Sequence, residues 1–302
     1  MAEERRLNVD LHLIIKKVEA LTKRIVRTPT LGEYTSIFKG GGLEFDGYKE
    51  YSQDMDASKI DWKSSVRTKK LTVKVYREIR ELQVYFIFDA SSNMVFGSAD
   101  KLKNEIAAEF SLALAYIILS AGDKVGCITY NESLIRIIEP GGGTHQFYKI
   151  AKHLMDPNIY GGKFNLAGAA EFALNRIARK NTVAILVSDF YGQPLHVWEQ
   201  KIKNMAIKFD TFCLLVRDPR DKELPEDVGL VMVEDPQSGK EMLIESKLLS
   251  RRFREFTQKQ DNELFEFLHH RRIDFMELLT NEDYLKKLVQ FFGVRKGRRF
   301  SR

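Results

Sequence analysis

A chain of 302 residues has room for one large domain with an appendage or for two small ones, and 44% hydrophobic content at a mean hydropathy of −0.30 suits a soluble protein with a sizeable core. The longest apolar stretch, Ile106 to Leu119, is broken by Glu109 and falls short of the roughly 20 residues of a membrane span, so no membrane-spanning helix is expected. The net charge of +6 admits an acidic partner, with much of the excess in RKGRRFSR at 295–302 and in the basic helix around Lys16, Lys17, Lys23, Arg24 and Arg27.

The opening MAEERRLNVD is charged from its third residue, so no signal peptide is expected. Cys127 and Cys213 sit in apolar, strand-like runs and are expected as buried thiols in a reducing cytosol. Leu7, Leu11, Ile14, Ile15, Val18, Leu21 and Ile25 keep a helical period that Thr28-Pro29 ends. KGGGLEFDGYKEY follows as a glycine turn into an aromatic segment, and IDWKSSVRTKK at 60–70 places Trp62 among basic residues. A buried tryptophan flanked by surface charge is the expectation there, ahead of a base-stacking site. KLTVKVYREI at 70–79 alternates, as a strand with one wet face does.

From residue 83 the pattern becomes strand–helix alternation. Val84 to Phe88 and Thr182 to Val187 are unbroken apolar runs, the signature of strands buried on both faces. Between them a helix at 102–117, a hairpin of 124–130 with 134–138, and helices around 145–155 and 166–179 are expected. After them come a helix near 195–207, a strand at 209–216, a hairpin at 229–245, a helix at 247–270, a strand at 273–278 and a helix at 281–292. Such alternation predicts a doubly wound, mostly parallel α/β sheet. In the common 3-2-1-4-5-6 order, the two apolar strands lie side by side at the switch point, where ligands bind beyond the strands' carboxyl ends.

Both of those strands end in an acid. Asp89, Ser91 and Asn93 follow the first at alternate positions, and Asp189 follows the second. Oxygen ligands without sulfur or imidazole favour Mg2+, Mn2+ or Ca2+ over zinc. A turn in which Asp89 and Ser91 cap the next helix is the competing reading. No nucleophile elbow and no complete phosphate loop occurs, and the histidines are scattered.

FDASSNM and LVSDF on this alternating pattern resemble a von Willebrand factor A domain with its metal-ion-dependent adhesion site. More narrowly, GLEFDGYKEY (42–51), IDWKSSVRT (60–68), VKVYREIREL (73–82), FDASSNMVFGS (88–98), GDKVGCITY (122–130) and LLTNEDYLKKLVQFF resemble the family called domain of unknown function fifty-eight. The resemblance implies a Rossmann-like domain over 81–293 with a hairpin insertion at 229–245. A helix and β extension at 1–80 would pack on it, and a basic tail would occupy 294–302. It also implies a cytoplasmic, non-enzymatic interaction module whose partner is a MoxR-type AAA+ ATPase. Neither a small-molecule substrate nor nucleic acid is expected. Asp89, Ser91 and Asp189 match the adhesion-site pattern, and Asn93 stands for its second serine. The pattern's threonine should fall in GGKFNLAGAA at 161–170, where Lys163 or Phe164 stands instead. A lysine ammonium there would neutralise the acids in place of Mg2+ (or Mn2+/Ca2+). The implied contact loops hold Phe96, Lys163, Phe164, Asn165 and Tyr191. Nucleic-acid binding through the basic tail and a metal-dependent phosphoesterase are the alternatives.

Overall fold

The structure, a computed structural model, describes residues 7–26, 41–52, 55–80, 82–177, 181–225, 229–235 and 239–299. Thr28-Pro29, expected to end the first helix, lies outside them. The N-terminal helix α1 (Leu11–Val26) turns Ile14 and Val18 into the core, as its period requires. Strand β1 (Gly41–Glu50) then pairs antiparallel with β2 (Thr72–Arg80) as a separate two-stranded sheet. The glycine-rich start of β1 hides a strand that the sequence pattern does not announce. Between these strands lies helix α2 (Trp62–Thr68), capped by Asp61, whose side chain accepts from the Lys63 and Ser64 amides. Trp62 is 66% exposed there, against the expectation of burial. It opens a two-turn helix whose buried contact is made instead by Ser65, against Thr72 of β2.

The domain proper is built on β3 (Gln83–Asp89), α3 (Lys103–Ser120), β4 (Lys124–Tyr130), β5 (Leu134–Gly141), α4 (Gly143–Leu154), α5 (Leu166–Arg176), β6 (Thr182–Ser188), α6 (Leu195–Lys208) and β7 (Asp210–Arg217). A short helix α7 (Pro219–Lys222), the hairpin β8 (Leu230–Glu234) with β9 (Glu241–Glu245), the long α8 (Ser246–His270), β10 (Asp274–Leu279) and α9 (Tyr284–Arg299) complete it. α9 runs on through Arg299, so most of the basic run expected as a tail is helical.

Six strands form one sheet in the order β10-β7-β6-β3-β4-β5, with only β5 antiparallel and at the edge. That is the expected doubly wound order. Alternate residues of the central strands feed two cores: Val84, Phe86, Phe88, Val183, Ile185 and Val187 pack under α1, α3, α4 and α9. Tyr85, Ile87, Ala184 and Leu186 pack under α5, α6 and α8 on the other face. Burial on both faces explains why these strands are apolar without alternation. Cys127 and Cys213 are buried and unpaired, and burial pushes the Cys127 thiol up to about 12. No described helix is long and apolar enough to cross a membrane.

Candidate functional site at the carboxyl ends of the central strands

β3 and β6 run parallel with Phe88 opposite Val187, so Asp89 and Asp189 leave the same edge of the sheet from adjacent strands. Both carboxylates are buried. Asp89 Oδ1 accepts from the Ser91 amide at 2.8 Å, and Oδ2 accepts from Ser188 Oγ at 2.7 Å. Burial, and then the charge of Asp189, push the Asp89 carboxyl up to about 7, against the downward pull of these hydrogen bonds. Asp189 Oδ1 accepts from the Tyr191 amide at 2.9 Å. The turn that allows it passes through Phe190 at φ 58°, a left-handed conformation unusual for a phenylalanine.

The other oxygen of Asp189 meets a residue to which the sequence pattern assigns no part. Lys103, the first residue of α3, lies only 2% exposed with its Nζ 2.8 Å from Asp189 Oδ2. The same ammonium lies 3.1 and 3.2 Å from the two carboxylate oxygens of Asp221 on α7, and its Nζ stands 5.5 Å from the Phe96 ring centroid. Burial opposes its charge, but the two carboxylates outweigh burial and hold its pKa above the usual lysine value. A cation in the first turn of a helix also opposes the helix dipole, so these acids are what keep it there. That misplacement, in a helix buried nearly all round, is the signal by which sequence reasoning could have found it.

Asn93 is buried, and its Nδ2 donates to the Tyr191 carbonyl at 3.0 Å, holding the β3 and β6 loops together. Ser91 Oγ is buried with no hydrogen-bond partner. The third loop reaches the site by its backbone: Gly161 donates to the Ala90 carbonyl at 2.8 Å, and the Gly162 carbonyl accepts from Ser92 at 3.0 Å. Its side chains point elsewhere. Lys163 is exposed, Phe164 is buried beside the Tyr130 ring, and Asn165 caps α5 by accepting from Gly168. The lysine at the acids is therefore Lys103, not Lys163. Phe96 is exposed, and Tyr191 lies half-buried over Arg217.

A hard divalent cation wants several converging oxygens. Here each carboxylate oxygen of Asp89 and Asp189 already accepts a hydrogen bond, and Asp189 carries an ammonium. The third loop supplies no side-chain oxygen, since Phe164 turns into the core and Asn165 Oδ1 caps α5. Among the described residues no group of three or more His, Cys, Asp and Glu has metal-holding geometry. The residues present do not fit the divalent ion that the resemblance implies.

The family described as "Protein of unknown function DUF58" matches residues 47–263. The uncharacterized protein Rv1480 of Mycobacterium tuberculosis is 25% identical over 285 residues, covering 93% of this chain and 89% of its own. Among solved structures, the chain is similar to the conserved hypothetical protein BatB from Bacteroides thetaiotaomicron, with TM-score 0.45 and 13% identity over 72% of this chain and 99% of that one. It is also similar to the SpRpn10 VWA domain, with TM-score 0.38 and 12% identity over 69% and 94%.

Proposed function

This chain belongs to the DUF58 family of proteins of unknown function, and from that premise we propose that it is a protein-interaction module of the von Willebrand A type, docking its partner on the loops at the carboxyl edge of the sheet. The observation that carries the reading is the loop after β3. Val95 and Phe96 stand 43% and 39% exposed, adjacent in the chain, and the Phe96 ring centroid lies 5.5 Å from the Lys103 ammonium nitrogen. Aromatic side chains such as Phe96 are enriched at the cores of interfaces.

The loop is held rigid, as an anchor must be. The Phe96 carbonyl accepts from the Lys103 amide at 2.8 Å. Ser98 donates through its amide and its hydroxyl to Asp218, at 2.8 and 2.6 Å, and Asp218 also accepts from Thr280 Oγ1 at 2.6 Å. The ends of β7 and β10 thereby fix the loop of β3. Preorganisation of this kind lowers the ordering cost of association.

The partner is a MoxR-type AAA+ ATPase and the protein acts in the cytoplasm without catalysing a reaction. The family resemblance supports the partner, and the unpaired buried thiols suit a reducing compartment. A binding titration of the purified protein against a MoxR-type ATPase from the same cell tests it. Phe96→Ala and Val95→Asp should each weaken the complex at least tenfold while leaving the thermal midpoint in place. Unchanged affinity in both variants refutes docking on this loop, and no complex with the wild type refutes the partner.

A further inference from the structure

We propose that Lys103 is the resident cation of this site, its ammonium supplying the positive charge that a divalent ion would bring, so that the loops at the carboxyl edge of the sheet bind their partner without metal. The proposal concerns the surface through which the partner is read to dock, but its test reads the cation alone. Failure of either one leaves the other standing.

Three N–H bonds are all a lysine has to offer. Those of Lys103 face Asp189 Oδ2 at 2.8 Å and the Asp221 carboxylate at 3.1 and 3.2 Å, beside the Phe96 ring. One ammonium thus ties together the start of α3, the loop after β6 and the helix after β7. Its surroundings are dry, with the side chains of Lys103 and Asp189 3% and 1% exposed. In such a place water screens little, and neither partner leaves without stranding the other.

The rest of the donor set agrees. Both Asp89 oxygens are taken by donors of the protein itself, the Ser91 amide and the Ser188 hydroxyl. Asn93 presents its amide nitrogen to Tyr191 O. Of the two residues that could stand for the adhesion-site threonine, Lys163 is exposed and Phe164 turns into the core against Tyr130. A divalent ion entering here would have to expel the ammonium and find its remaining oxygens elsewhere. A site organised round a fixed lysine needs no ion loading before it meets a partner, and chelators leave it intact.

The test observes the ammonium directly. In uniformly 15N-labelled protein, a buried and hydrogen-bonded Lys103 ammonium exchanges slowly and gives a proton–nitrogen correlation, assigned by its disappearance in Lys103→Arg. The expected result is that its position is the same in EDTA and in millimolar Mg2+, and that substoichiometric Mn2+ leaves it unbroadened. Lys103→Met should in turn gain one bound Mn2+, counted by the loss of free-ion electron paramagnetic signal, and Lys103→Met/Asp189→Asn should lose it. Selective broadening of the Lys103 signal by Mn2+ in wild type overturns the proposal. A Lys103→Met protein that folds and takes up no Mn2+ overturns it too, because the lysine is then a strut and not a stand-in for an ion. If Lys103→Met does not fold, the wild-type Mn2+ measurement decides alone.

Discussion

Ser188 Oγ lies 2.7 Å from Asp89 Oδ2 and donates to it, joining the ends of the two central strands across ninety-nine residues of sequence. The same hydroxyl oxygen accepts from the Phe190 amide at 3.0 Å, so one serine fixes both the acid of β3 and the turn after β6. Ser188→Ala should cost about 1–3 kcal/mol, the usual loss when a buried partner is removed, measured as a shift in the urea midpoint.

Asp89 makes stability fall with pH. Its carboxyl titrates near 7 in the folded protein because burial and Asp189 disfavour its charge, whereas an unfolded aspartate titrates near 4. Between about pH 4 and 7 the folded state therefore holds a proton that the unfolded chain has released. The Asp89 contribution to stability is complete below about 4, declines by up to about 1.4 kcal/mol per pH unit across the window, and is flat above 7. The groups facing it are Asp189, Tyr130, Tyr160, Ser91 and Ser188. Asp89→Asn removes the titration, and its stability measured at pH 5, 6 and 8 should lose this part of the slope. A slope identical to wild type would refute the assignment.

Asp218 works in the opposite sense. Burial alone would raise its pKa, but hydrogen bonds from Ser98, Thr280 and the Arg220 amide outweigh burial and hold it below the ordinary carboxylate value. Its stabilisation is present above the unfolded pKa near 4 and is lost as pH falls through the lower folded value. Asp218→Asn, which keeps the shape but not the charge, should cost about 1.5–3 kcal/mol at pH 7. It should also speed amide hydrogen exchange at Ser98, whose amide donates to this carboxylate.

Gly97 is required where it stands for reasons of space. A Cβ built on it would collide with the Lys101 carbonyl and come within 2.9 Å of Leu102 Cα, both backbone atoms that cannot swing away. Gly97→Ala should therefore open the loop between Phe96 and Lys103 at a cost of about 1–3 kcal/mol. It should weaken partner binding along with stability, unlike Phe96→Ala, which should weaken binding alone.

Much of this fold is legible in the sequence. Uninterrupted apolar runs at 84–88 and 182–187 read as doubly buried strands, and the common doubly wound order puts their terminal acids together. What the pattern hides is whatever depends on a distant element. Lys103 reads as one more surface lysine after SADKL, because Asp189 and Asp221, which make it a buried ion, are about 90 and 120 residues away. Phe164 reads as a loop residue until Tyr130 is seen beside it. Trp62 reads as core because it is large and apolar, yet the residue its short helix buries against β2 is Ser65. In each case the local composition is right about the residue and silent about its neighbours.

Arg217 and Asp261 give a sharp energetic test of a second buried ion. The Arg217 side chain is inaccessible at the end of β7, with its guanidinium carbon 3.4 Å from the Tyr191 ring centroid and Nη2 3.2 Å from Asp261 Oδ1. Tyr191 OH donates to the same Asp261 oxygen at 3.0 Å, while Arg217 Nε and Nη1 have no hydrogen-bond partner. Removing the acid alone strands a buried cation, so Asp261→Ala should cost about 3–5 kcal/mol. Replacing both ions by apolar groups of similar size removes the desolvation penalty together with the attraction. Arg217→Met/Asp261→Leu should therefore lie within about 1 kcal/mol of wild type or above it, so that a double-mutant cycle returns a large favourable coupling. Near-additive losses would show that water reaches this pair and screens it.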